Sequence, residues 1–512
     1  MKNSRTASAR SSSSAIAAPC IKAVLFLSFS VVLITLFINY ASSSNNPSLF
    51  SLPPSLPLPW HNDRREPPPS SFSGSHTESP PPENSKTALY PTFTNPKMQR
   101  AVANLVNELK EESLSRIGKN RDEKIAMVEA GLAKARALIK NAIFKSRVSP
   151  PPLSPDSDYV PQGQVYRNPY AFQKSFMMME SMFKIYVYEE GELPMFHNGP
   201  TSDIYTSEGI FIGLFESDTR FRTQDPDRAH VYFLPFSVSM ILQHLFDPAV
   251  RDKGVLDHVI TDYVRVISNK YPYWNRSLGA DHFMLACHDW GPRATWYNHH
   301  LYFTSMRALC NANTSEFFNP RKDLSIPELD LKEGLLTQVK PNQEPSNRKI
   351  LAFFAGGVHG PIRGALFHHW KDKDKDIIVV NKVPENSSLS YQEFMHHSKF
   401  CLCPSGYQVA SQRVVEAIYA GCVPVLINKD FVPPFSDVLD WDKLSVNVAV
   451  RDLPELKRIL EGIGEEEYEA LRQGVGQVQR HFVVNNPPKR YDVFHMVVHS
   501  LWLRRLNLRI NS

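Results

Sequence analysis

Arg413 and Glu416 lie three residues apart in the run Arg-Val-Val-Glu, a spacing that places both side chains on one face of a helix. A guanidinium there can neutralise a diphosphate leaving group, while the carboxylate one turn on can accept hydrogen bonds from both hydroxyls of a ribose. The segment that carries them, Phe400 to Ile427, reads as strand, tight loop, helix, strand. Pro404, Ser405 and Gly406 make the loop. Gly406 lets backbone approach a phosphate closely, and free amides with the positive dipole end of the next helix attract the anion. Ligands of open α/β sheets bind at this C-terminal strand edge. The chemistry expected is that of a nucleotide sugar; an internal Arg413–Glu416 ion pair on an ordinary helix is the competing reading.

Moving a sugar onto a hydroxyl also requires a group that takes the proton. Asp281, His282, His288 and Asp289 flank the apolar run Phe283 to Ala286, so some of them fall at strand ends that can face a cleft. Buried polar networks use the same residue types, and the sequence does not choose among the four. Lys371 to Asp376 alternates in sign like a solvated loop, Asp440-Trp-Asp442 implies no ligands, and the histidine pairs at 299, 368 and 396 lack metalloprotease spacing. No metal site is expected. Of six cysteines, Cys20 sits beside an apolar N-terminal run, and the other five cannot all pair. Cys287 with Cys310 is the preferred disulfide, because Cys401, Cys403 and Cys422 share one strand-helix-strand unit and are read as core cysteines.

The elements that must hold these groups alternate in type. Phe183 to Tyr188 and His230 to Leu234 read as strands, and Ser207 to Phe215 and Asp252 to Asn269 as helices. Strands recur at Lys349 to Ala355, Ile377 to Val380, Phe400 to Cys403 and Cys422 to Ile427. The expected class is therefore α/β with two Rossmann-like halves, 183–345 for the acceptor and 346–489 for the nucleotide sugar, followed by a helix within 490–512.

Ahead of them, residues 1–22 are basic and residues 23–40 are apolar. With the flanking apolar residues this reaches about the 20 a bilayer requires. Charge bias makes this a signal-anchor of type II topology, with a cleaved signal peptide as its rival. Residues 41–96 form a Pro/Ser-rich stem too polar to fold, 97–148 an amphipathic helical stem, and 149–182 a linker. The helical stem either dimerises the protein, with itself or another chain, or packs on its own body; Gly118 and Gly131 interrupt any long seam. Sequons at Asn275, Asn313 and Asn386 agree with a lumenal body. At 512 residues with a net charge of +5 the chain holds two domains and carries no nucleic-acid footprint.

Five collinear stretches add a resemblance. They are Phe183-Lys-Ile-Tyr-Val-Tyr, Asp225-Pro-Asp-Arg-Ala-His-Val-Tyr-Phe-Leu-Pro, Tyr271-Pro-Tyr-Trp-Asn-Arg with Gly279-Ala-Asp-His-Phe and His288-Asp-Trp-Gly, Arg348 to Gly357, and the segment from Ser398. In these the chain resembles the exostosin-like glycosyltransferases, family 47, plant branch, over more than half its length. The resemblance implies a GT-B fold with two domains facing a cleft, and inverting transfer from a UDP-sugar. It further implies a type II Golgi location and a cell-wall or matrix polysaccharide acceptor. Arg413 and Glu416 match the family's Arg-x-x-Glu donor positions, and Gly356-Gly357 the loop that faces the donor. Gly360 and Arg363 open the next helix, where Arg363 either meets phosphate or is a routine helix residue. GT-B enzymes as a class use cationic side chains and helix dipoles, so UDP-sugar is the co-substrate and no divalent metal is expected. An inactive lumenal scaffold or glycan-binding subunit of a transferase complex is the alternative function.

Overall fold

The computed structural model describes residues 96–148, 159–202, 204–329 and 348–510, and residues 93–512 form one compact unit. The expected cytosolic tail, the membrane span at 23–40 and nearly all of the stem at 41–96 lie outside the described residues, as do 149–158 of the linker and 330–347. Among the described residues no helix is long and apolar enough to cross a membrane.

Helix α1 (Pro96–Val148) runs unbroken through both Gly118 and Gly131. A helix-interior glycine costs only about 1 kcal/mol relative to alanine. At Gly131 the missing side chain also makes room, since a Cβ there would overlap the Met182 methyl at the end of α2 (Pro169–Met182). The side chains described for α1 pack on the chain's own body. Leu132 and Ala135 are fully buried, Lys124 reaches Asp225 at 3.1 Å, and Glu129 pairs with Arg505.

Strands β1 (Ile185–Val187), β2 (Val231–Phe233), β3 (His282–Ala286), β4 (Met306–Leu309) and β5 (Leu324–Ser325) lie side by side in chain order, all parallel. Their side chains alternate between two cores, as period-2 geometry requires. Val187, Phe233, Phe283 and Leu285 pack with α3 (Thr206–Ser217). Tyr186, Tyr232, Met284 and Ala286 pack with α4 (Val238–Leu245) and α5 (Gly254–Lys270).

The second sheet contains β6 (Ile350–Ala355), β7 (Ile377–Val380), β8 (Ser398–Pro404), β9 (Val423–Ile427) and β10 (Val446–Asn447), in the order β10-β9-β8-β6-β7 and again all parallel. β8 and β9 are near-continuous apolar runs because both faces are covered. Helices α6 (Gly360–Trp370), α7 (Tyr391–His397) and α8 (Arg413–Tyr419) follow β6, β7 and β8. The last helix, α9 (Val493–Asn507), starts on Asp492, whose Oδ1 accepts from the His495 amide.

Helix α9 ties both sheets together. Arg505 Nε donates to the His230 carbonyl at 2.7 Å and Arg504 Nε to that of Asp323 at 2.8 Å, while Arg504 also pairs with Asp437 at 3.0 Å. The C-terminal edges of the two sheets face one another. Across the seam the Thr314 amide donates to the Asp430 carbonyl at 2.9 Å and the Val432 amide to that of Ala312 at 3.0 Å.

Candidate active site

Three loops leave the C-terminal edge of the second sheet: residues 356–359 after β6, 381–390 after β7, and 405–412 after β8. Together with the start of α8 they enclose a cavity of about 700 Å3 lined by Gly356, Val383, Leu389, Tyr391, Arg413 and Glu416 among others. That volume suits a nucleotide. Glu416 Oε2 accepts a 2.6 Å hydrogen bond from the Tyr391 hydroxyl, a residue the sequence reading missed. Arg413 turns to another partner, donating from Nε and Nη2 to the Ala355 carbonyl at 3.2 and 2.9 Å. Gly356 is what admits it, because a Cβ at 356 would overlap Arg413 Nη2.

Arg363 lies 8% exposed beside Arg413, and both guanidiniums stand over the Phe354 ring, at 5.8 and 5.0 Å from its centroid. Its bonds go to the carbonyls of Pro404 and Gly357, both at 3.4 Å. Burial, and then the Arg413 charge, pull Arg363 down to about 10. Two cations held together by neutral carbonyls create a site that a bound dianion would stabilise. Gly360 takes a left-handed backbone (φ +76°), and a Cβ there would overlap the Gly406 carbonyl, so the 356–359 and 405–412 loops touch.

Backbone amides play a smaller part than the sequence implied. The Ser405 amide donates to the Ile427 carbonyl and the Gly406 amide to that of Gln408, each at 3.1 Å, and the Ser405 hydroxyl is spent on the Val409 carbonyl. The amides of Val414 and Val415 are bonded to Ser411 and Gln412 carbonyls, and α8 spans only 7 residues. Positive charge in this site thus comes from Arg413 and Arg363.

A second cavity, of about 260 Å3, continues from the first with Gln412 and Arg413 common to both; its other walls include Gly357, Arg363, Gly406 and Gln408 and, from the opposite half, Asp289 and Glu328. Gln408 Oε1, Ser411 Oγ and Gln412 Oε1 are buried here without a hydrogen-bond partner among the described residues. Buried polar atoms are ordinarily paired, so these three side chains, all of them lining one cavity, hold unused hydrogen-bonding capacity.

The four proton-transfer candidates separate. Asp281 and His282 lie at the opposite end of β3 from the cleft, about 17 Å away for a five-residue strand. Asp281 is fully buried and bound to Arg276 (2.6 Å), Ser277 and His282 (2.9 Å), and His282 also meets the Tyr188 hydroxyl. Burial alone would raise the Asp281 carboxyl; the His282 hydrogen bond, with the His282 and Arg276 charges, holds it well below its usual range. This is a structural network, which removes both residues from the chemistry. His288 stacks on Tyr205 with centroids 4.5 Å apart, its Nδ1 accepting from the Trp290 amide. Asp289 alone of the four lines the cleft cavity, its Oδ1 accepting from the Tyr205 hydroxyl at 2.9 Å.

Glu328, absent from the sequence candidates, is 7% exposed in the same cavity, where Gln408 Nε2 donates to its Oε2 at 3.4 Å. Burial, and then the Asp289 charge, push its carboxyl up to about 8. No local pattern announces it: the charged groups around it, Asp289, Arg363, Arg413 and Glu416, come from distant segments of the chain.

Cys287 and Cys310 are joined, pinning the C-terminal ends of β3 and β4 beneath Asp289. Cys401 and Cys422, read as core thiols, form a second disulfide with Cα atoms 5.8 Å apart; β8 and β9 are sheet neighbours, which brings the pair together. Cys403 is a buried free thiol. Asn275 and Asn386 are exposed. Asn313 is 7% exposed, with Oδ1 accepting from Ser315, so the folded chain leaves no room for a glycan there. Asp374 and Asp376 are both paired with Lys457 at 2.8 Å.

Residues 179–463 match the Exostosin GT47 domain. The chain belongs to the exostosin GT47 family. A probable glycosyltransferase of Arabidopsis thaliana is 60% identical over 385 residues, covering 75% of this chain and 81% of the relative. More distant GT47-type relatives include a probable glucuronosyltransferase of Oryza sativa subsp. japonica and a probable beta-1,4-xylosyltransferase of Arabidopsis thaliana. Each is 27% identical over 346 residues, or 62% of this chain and 80% or 81% of the relative. The GT47 chain is accordingly a glycosyltransferase, an enzyme that takes a sugar donor and a glycan acceptor.

Proposed function

We propose that this GT47 enzyme has the GT-B architecture and transfers a sugar, with inversion, from a UDP-sugar to a cell-wall or matrix polysaccharide or other glycan. The observation that carries this reading is the position of Arg413 at the junction of two cavities. Behind it, the larger space offers Glu416, fixed by Tyr391, to the ribose of a nucleoside. Ahead of it, the smaller space offers Gln408, Ser411 and Gln412 to a sugar. A diphosphate spanning the junction meets Arg413 and Arg363, whose charge would stabilise the departing UDP in place of a divalent metal. The relatives named for xylose and glucuronic acid mark the sugar class to screen first. The body is placed in the Golgi lumen on a type II anchor at 23–40, and two disulfides suit such an oxidising compartment.

Calorimetric titration with UDP tests the donor site: wild type is expected to bind and Arg413→Ala to lose most of the affinity. A scaffold would bind no UDP. Retention of the protein in carbonate-washed membranes tests the anchor, and its release would remove it.

A further inference from the structure

We propose that Glu328 is the group that accepts the proton of the attacking hydroxyl, an assignment that rests on the donor site described above. In an inverting displacement the acceptor oxygen bonds to the anomeric carbon from the side opposite the diphosphate. The bond from that carbon to the diphosphate oxygen breaks, with its electron pair leaving toward Arg413. The hydroxyl proton must pass to a base on the acceptor's side.

Position selects Glu328. It lies past β5 at the cleft edge of the first sheet, on the wall facing Arg363 and Arg413 across the smaller cavity. One hydroxyl fixes its backbone on both sides: Ser207 Oγ donates to the Pro327 carbonyl at 3.0 Å and accepts from the Leu329 amide at 2.9 Å. Ser207 begins α3, whose Glu208 accepts from the Cys287 and His288 amides at 2.8 and 3.0 Å, so one helix end aligns the Glu328 and Asp289 segments. Asp289 is already engaged by Tyr205. Burial, and then the Asp289 charge, raise the Glu328 carboxyl, which makes Asp289 a positioning residue.

The charged groups facing Glu328 are Asp289 from the end of β3, Arg363 from α6, and Arg413 and Glu416 from α8. His359 also lines the cavity. Diphosphate bound to the arginines cancels the cations that favour the Glu328 anion, so donor binding and protonation of Glu328 are linked.

The test uses the full chain as wild type, Glu328→Gln and Asp289→Asn. UDP is titrated at pH 8 in buffers of different ionisation enthalpy. Turnover is read as UDP release from UDP-xylose and UDP-glucuronic acid, with cell-wall polysaccharide as acceptor. The expected results are proton uptake on UDP binding by wild type, its loss in Glu328→Gln with UDP bound at least as tightly, and a fall in turnover of about a hundredfold or more. Asp289→Asn should lose less turnover than Glu328→Gln, with the rising limb of its pH-rate profile moved to lower pH. Proton uptake unchanged in Glu328→Gln, or turnover within about threefold of wild type, overturns the assignment. Absence of UDP binding in every variant, wild type included, instead overturns the donor site.

Discussion

Arg413 is aimed by neutral groups, the Ala355 carbonyl and the Phe354 ring, so its direction is fixed while its charge is left for a ligand. Arg413→Ala should lower kcat by about a hundredfold to a thousandfold, as removal of a transition-state donor does, with little change in Tm. Gly356→Ala makes a subtler test. The new methyl displaces the guanidinium from a charged hydrogen bond of about 1.5–3 kcal/mol, so UDP affinity should drop about tenfold in titration while Arg413 remains in the chain. Gly356 enters only through the resemblance to the family, while Arg413 and Glu416 are legible in the sequence because their relation is local, one helix turn. Glu328 is not. A glutamate after Ile-Pro is ordinary until burial and Asp289, from another strand, change what its carboxyl does. The same reason hid Gln408 and Gln412, whereas the helix amides expected to be free are claimed locally, those of Val414 and Val415 by the Ser411 and Gln412 carbonyls.

Among the elements, strands with dense β-branched and aromatic runs were readable almost to the residue. Ile377–Val380 is an example, because such runs have no stable alternative to a doubly covered sheet. The Cys401–Cys422 bridge was not, since adjacency of β8 and β9 belongs to sheet order rather than sequence. Helix α9 and its neighbours bury His499 and His481 as neutral rings. Burial takes them from the ordinary 6.5 down to about 3 and about 4. With folded values below unfolded ones, the unfolded chain binds more protons in this range, so stability is lost as pH falls from about 6.5 toward 4. Thermal melts between pH 7 and 4 should show Tm falling by several degrees, and His499→Gln should flatten the slope. At the other end of α9, Arg136 donates to the Leu506 and Leu508 carbonyls at 2.6 and 2.5 Å. Arg136→Ala removes the side-chain donor of the Leu506 carbonyl and leaves that of Leu508 only Arg505 Nη1 at 3.4 Å, an expected loss of about 1.5–3 kcal/mol readable in a urea titration.

At the scale of the whole molecule, residues 93–512 form one unit, so a secreted fragment beginning at residue 93 should bind UDP with the affinity of the full chain. A fragment beginning at 159 lacks α1 and its contacts with Arg505 and Asp225 and should melt at lower temperature. Helix α9 also sets an order of events during synthesis. Phe494 packs against Phe215 at 5.3 Å and Trp502 against Phe183 at 5.5 Å, so α9 completes the cover of a sheet face that α3 covers only in part. As the polypeptide emerges from N to C, that part of the apolar face stays open until residues 493–507 have been made. The amino-terminal half therefore completes its packing only once α9 has docked, and a stop before residue 493 leaves a product with a partly uncovered sheet for chaperones and degradation to find.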